Sequence, residues 1–153
     1  MLTLQKITED NFKACIELSV TDSQKNFVAN NTYSLAQAWL YPDDTEPFVV
    51  CLDGEPVGFV MCDVDFRRDG SRKTFELWRF MIDGKHQGKG YGKAAMQLII
   101  DYARGAYDPD DMRLSVVPDN KIAYNLYKNF GFIPTGEFDY GEAVMVLDLR
   151  ESR

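Results

Sequence analysis

The strongest constraint in this sequence is a run of alternating glycines, Gln87-Gly88-Lys89-Gly90-Tyr91-Gly92. It lies between a strand-like run, Thr74 to Ile82, and an amphipathic stretch opening at Tyr91. Glycine adopts backbone conformations closed to other residues and lets peptide N–H groups come close to an anion. A helix starting at the end of such a loop adds unpaired N–H donors and the positive end of its dipole. Together these suit a pyrophosphate, and Lys89 and Lys93 add positive charge. The dinucleotide fingerprint is absent, since it needs G-x-G-x-x-G and an acidic residue about 20 positions on. The G-x-x-x-x-G-K-[ST] phosphate loop is absent too. A turn that needs glycine for its geometry alone is the other reading of the same residues.

The loop sits in an alternating pattern of elements. Leu2 to Ile7 reads as a strand, and Thr8 is placed to cap a helix carrying Phe12, Cys15 and Ile16 on one face and fading near Ser19. Ser34 and Gln37 have capping-box spacing for a second helix that ends before Pro42. Phe48 to Leu52 and Val57 to Val64 flank Asp53-Gly54, a hairpin signal. A charged loop, Arg67 to Lys73, leads into Thr74 to Ile82. Tyr91, Ala95, Leu98 and Tyr102 then mark a helix of about four turns closed near Gly105. Met112 to Val117 predicts a strand, Lys121 to Phe130 a helix stopped by Gly131, and Phe132 to Glu137 and Ala143 to Leu149 two more strands. The expectation is one α/β (α+β) domain over residues 1–153, with a mixed, mostly antiparallel sheet of about six to seven strands flanked by helices.

Composition narrows the classes. At 153 residues, with 45% hydrophobic and 27% charged, the chain can bury a core without disulfides or metal staples. Its net charge of −7 argues against general nucleic acid binding; a cationic small substrate would be electrostatically welcome, and solubility alone also accounts for such a charge. No run approaches the roughly 20 apolar residues of a membrane span, and Met-Leu-Thr-Leu-Gln-Lys shows no basic patch followed by an apolar run, so an unexported protein is expected. Cys15, Cys51 and Cys62 form no C-x-x-C pair, so no metal site is expected and a reducing cytoplasm is the expected setting.

The Q-x-x-G-x-G pattern after a strand and before a helix resembles the acetyl-CoA motif of the GNAT family of N-acetyltransferases. Asn120, Ala123, Tyr127, Gly131 and Phe132 match a second motif of that family, N-x-x-A-x-x-x-Y-x-x-x-G-F. The resemblance implies a GNAT-like fold and acetyl-CoA as co-substrate. It implies that the backbone of Phe80, Met81 and Ile82 pairs with the pantetheine arm, and that Gln87, Gly88, Lys89, Gly90, Tyr91, Gly92 and Lys93 hold the pyrophosphate. Asn120 would help to hold the arm from the other side. Tyr127 matches the family tyrosine that protonates the leaving thiolate, a step open to a phenol of reference pKa about 10. Glu76 matches the strand glutamate of the histone-modifying branch, where it is the general base; a charge anchor for the substrate is the alternative. His86 is expected to pack rather than to transfer protons.

The N-terminal third, from Ile7 to Trp39, together with Glu76-Leu77-Trp78-Arg79-Phe80, resembles bacterial spermine/spermidine acetyltransferases. That resemblance implies a polyamine acceptor, spermine or spermidine, attacked directly in a ternary complex. Such a flexible chain of ammonium groups calls for carboxylates and aromatic walls. Glu76, Asp63 and Asp65 are candidates for the first, and Trp78, Tyr33 and Trp39 for the second. Another small amine, a protein N-terminus, or a non-catalytic acyl-CoA sensor remain open, as does a homodimer.

Overall fold

The computed structural model describes residues 1–66 and 73–150. The expected charged loop therefore lies outside the described residues except at Lys73. Among the described residues, seven strands form one sheet in the order β1-β2-β3-β4-β5-β7-β6. They are β1 (Leu2–Lys6), β2 (Thr45–Leu52), β3 (Glu55–Asp63), β4 (Thr74–Ile82), β5 (Asp111–Val116), β6 (Ile133–Asp139) and β7 (Glu142–Asp148). Every neighbouring pair is antiparallel except β4 and β5. The expected mixed, mostly antiparallel sheet is thus the one observed. Asp53 and Gly54, at φ 50° and 87°, close the β2–β3 hairpin as the Asp-Gly pair predicted.

The parallel pair is short, and this shortness makes the site. β4 meets β5 only at Thr74 with Asp111, Phe75 with Met112 and Glu76 with Arg113. Beyond these residues the two strands part, and Phe80 to Ile82 keep β3 as their partner on one side only.

β4 also contains a bulge. Arg79 pairs with Met61 and Leu77 with Cys62, so Trp78 is skipped in the ladder. Alternation along the strand therefore flips. Phe75, Leu77 and Phe80 pack on one face of the sheet, while Trp78 and Met81 pack on the other. Simple alternation along Thr74 to Ile82 would put Glu76, Trp78 and Phe80 on one face; the bulge turns Phe80 away from Trp78.

Helices α3 (Tyr91–Ala106) and α4 (Lys121–Phe130) cover one face, and α1 (Phe12–Glu17) and α2 (Asn31–Leu40) the other. In α3 the buried stripe is Ala95, Met96, Ile99, Ile100 and Ala103. It lies beside the expected line through Leu98 and Tyr102, because Met96 and Ile99 belong to the same face. The helix also continues one residue past Gly105. Gly131, at φ 102°, ends α4 in the left-handed conformation as expected.

Three local expectations fail in the first helices. The Asn11 side chain accepts from the Thr8 N–H at 2.8 Å, so Thr8 opens a turn instead of capping α1. Phe12 is then left exposed. α2 starts three residues before the proposed Ser34 cap, with the Asn30 side chain accepting from the Tyr33 N–H at 2.8 Å. Ser34 is buried in the helix, and Gln37 reaches Arg79.

Candidate active site

Two connected chambers open where β4 and β5 part. They share the walls Phe27, Val28, Phe80, Asn120, Ala123 and Tyr127. The rear chamber, of about 390 Å³, runs along Met81 and Ile82 under the glycine loop. The front chamber, of about 340 Å³, is walled by Trp78, Arg79, Ser115 and Glu142.

The glycine loop is pinned from below. The Gln87 amide donates to the Ile82 carbonyl at 2.9 Å and to the Gln24 side chain at 2.8 Å, and Gln24 donates back at 3.1 Å. Buried Asp83 accepts from the Ser19 N–H at 2.8 Å. Gly88 and Gly90 have φ of 77° and 83°, and a Cβ at either would meet nothing within 4 Å. Their need is thus for a left-handed backbone, and the space above them is open. Gly90 is the N-cap of α3 and provides no side-chain cap, so the first N–H groups of a 16-residue helix point toward that space. Gly92 and Lys93 line the rear chamber with Tyr91, whereas Lys89 is exposed beside it.

An acyl-CoA fits this arrangement on structural grounds. The phosphate end has helix N–H donors without a side-chain cap. An extended arm has the edge of Phe80, Met81 and Ile82, from which β5 has separated. Asn120 is the N-cap of α4, its side chain accepting from the Ala123 N–H at 3.4 Å, and it lines both chambers. Among the described residues no group of His, Cys, Asp and Glu is close enough to hold a metal ion.

Tyr127 is buried between the chambers and stacks edge-on with Phe132 at 5.8 Å. Burial pushes its phenol well up, so it stays protonated. The three cysteines are free and buried, and none lines either chamber. Burial raises Cys15 to about 11 and Cys62 well above the usual thiol range, so neither is a ready nucleophile.

Glu76 is placed differently. Arg113 donates to its Oε1 at 3.0 Å and to Asp139 at 3.3 Å, and Glu76 lines neither chamber. Its carboxyl is raised, first by burial; Arg113 pulls it down, and Asp63, Asp139 and Asp65 push it up. Trp78 does line the front chamber, with the Arg79 guanidinium 5.0 Å from its ring centre. Tyr33 and Trp39 do not line it; they are 56% and 82% exposed. His86 faces the rear chamber near Tyr91.

Arg79, Ser115, Glu142 and Gln24 were not singled out from sequence. Arg79 donates to the Gln37 side chain at 2.7 Å, and burial lowers its pKa while Glu142 and then Tyr33 oppose this. Ser115 is a polar interruption in an apolar strand run, and Glu142 follows the Tyr140-Gly141 turn, so both carried a weak signal.

The family description "Acetyltransferase (GNAT) family" matches residues 7–132. A spermine/spermidine N(1)-acetyltransferase of Bacillus subtilis is 32% identical over 154 residues, 97% of this chain and 99% of that protein. An L-amino acid N-acetyltransferase of Escherichia coli is 30% identical over 84 residues, 55% of this chain and 51% of that protein. The crystal structure of the Vibrio cholerae spermidine N-acetyltransferase in complex with CoA and spermine superposes with a TM-score of 0.75. It covers 96% of this chain and 95% of that one at 19% identity, a likeness of fold.

Proposed function

The chain belongs to the acetyltransferase (GNAT) family, and from that premise we propose that it moves an acetyl group from acetyl-CoA to a primary amine of spermine or spermidine. The observation that carries the reading is the parting of β4 and β5 beside an α3 N-terminus that lacks a side-chain cap. Acetyl-CoA supplies an activated acyl group as a thioester. Gly88 to Lys93 bind its phosphates, and the Phe80–Ile82 edge aligns its arm, so both reactants meet at Tyr127 without an acyl-enzyme. The amine forms the new C–N bond, the C–S bond breaks, and the sulfur leaves with the bonding pair and takes a proton by way of Tyr127.

For the acceptor, support comes from the Bacillus relative and from the carboxylates on the α1/α2 face. Glu76, clustered with Asp63, Asp65 and Asp139, is read as an anchor for a distal ammonium, its Arg113 partner leaving net negative charge around it. Trp78 offers an apolar wall to the methylenes. One feature favours a second acceptor class: Arg79 places a guanidinium in the front chamber, which suits an amine carrying its own carboxylate, as in an amino acid.

Thiol release with acetyl-CoA, measured across spermine, spermidine, diamines and amino acids, tests both. Polyamines are expected to give the highest kcat/KM. Faster turnover of amino acids would move the assignment to the second class. Saturable CoA binding without turnover of any amine, unchanged by Tyr127→Phe, would leave only a sensor.

A further inference from the structure

Resting on that acetyl-transfer reading, we infer that Glu142 is the general base that takes a proton from the acceptor amine in the front chamber. Among the described residues lining the two chambers, it is the only carboxylate. It shares the front chamber with Tyr127, where the new bond would form, whereas Glu76 stands outside and is held by Arg113.

The fold presents Glu142 firmly. It is the first residue of β7, a strand paired with both β5 and β6. Ala143, Met145 and Leu147 pack toward α3 and α4, so Glu142 is directed to the opposite face with Arg113 and Ser115. The Ser115 hydroxyl donates to its Oε1 at 3.5 Å. The charged neighbour of Glu142 in the same chamber is Arg79, whose guanidinium it favours electrostatically.

The chemistry requires a base at that point. A primary alkylammonium of pKa about 10.4 is neutral in only about one molecule in 2,500 at pH 7. Burial in the chamber favours the neutral partner of each acid–base pair, and the Arg79 guanidinium disfavours a second cation beside it. The ammonium gives one N–H proton to the Glu142 carboxylate, and the nitrogen lone pair attacks the thioester carbon. The nitrogen then sheds a second proton as the C–S bond breaks, and sulfur gains one by way of Tyr127. Glu142 returns its proton to solvent, so the sum is ammonium plus thioester giving amide, thiol and one proton.

The polar and charged groups that share the chamber or the strand pairing with Glu142 are Arg79 from β4, Ser115 from β5, Asp139 from β6 and Tyr127 from α4, with Arg113 further along β5 on the same face. The test uses whichever amine of the panel the wild type turns over fastest. For Glu142→Gln, kcat is expected to fall about 10²–10³-fold, with KM and acetyl-CoA affinity within threefold. Its kcat/KM should then climb tenfold per pH unit toward pH 10, because bulk solvent must supply the neutral amine. Glu142→Asp should lose about tenfold in kcat and keep the wild-type profile. In contrast, Glu76→Gln should raise KM and leave kcat within threefold. The inference is overturned by a wild-type kcat in either Glu142 variant, or by a rise in KM alone. Wild-type protein that turns over no amine overturns the proposed function together with this inference; active wild type with indifferent Glu142 variants overturns the inference only.

Discussion

The rear and front chambers share a wall but are built from different material. The rear one takes much of its wall from one chain segment, Phe80–Ile82 and His86 to Lys93, whose geometry is set by two left-handed glycines and a helix start, and closes it with apolar residues such as Phe27, Val28 and Leu126. The front one is made by single side chains, Trp78 and Arg79 from β4, Ser115 from β5, Glu142 from β7 and Tyr127 from α4. Under the proposed acetyl transfer, the donors at the start of α3 would serve a feature that every acyl-CoA has, and side chains from four elements would serve what differs between acceptors. The fixed and the variable partner would then be held by separate kinds of structure.

The sharpest way to break this division is at the shared wall. Tyr127→Phe is expected to lower kcat by about 10²–10³-fold, with acetyl-CoA affinity unchanged in a calorimetric titration. Loss of affinity in parallel with kcat would mean that the two chambers act as one site. A smaller effect of opposite kind is expected from Gly90→Val. Gly90 sits at φ 83° with open space around it, so the cost is backbone strain, roughly 1–2 kcal/mol for a side chain in the left-handed region. Acetyl-CoA affinity should fall by about tenfold while kcat at saturation holds. A fall in kcat with intact affinity would place the loop in the chemistry and not in the grip.

The same division explains what could be read from sequence. The rear chamber was legible because a glycine pattern, a strand and a helix start are all local. All seven strands and all four helices named here were anticipated within a few residues, since each has its own periodicity and turn signals. The front chamber was legible only in part: Trp78, Asn120 and Tyr127 were expected at the site, but Arg79, Ser115 and Glu142 were not, because their meeting depends on two non-local events, the bulge that skips Trp78 and the end of β4–β5 pairing at Glu76. Simple alternation along β4 would put Glu76 and Phe80 on one face, and only the pairing with β3 reveals the flip. Trp39 misled for a related reason. It follows helical spacing in α2, but the helix starts at Asn31 and its buried face runs through Ser34 and Ala38, which turns Trp39 to solvent.

Glu76 gives the smallest expected effect and bears on the same comparison, because it lies outside both chambers. Its carboxyl is raised in the folded protein, with burial outweighing Arg113. A carboxyl raised on folding contributes stability that is full below its unfolded value, about 4.3, and is lost as pH rises through the folded value. Glutamine does not titrate, so Glu76→Gln should gain stability relative to wild type as pH climbs from 4 toward neutrality. Urea midpoints of the two proteins at several pH values measure that slope, and acetyl-CoA affinity should be the same for both. The opposite slope would mean that the Arg113 pair dominates, leaving Glu76 as one half of a structural ion pair with no net charge to offer a polyamine tail. The acceptor would then have to be recognised by the front chamber alone, and Arg79 would weigh more heavily in deciding which amine it takes.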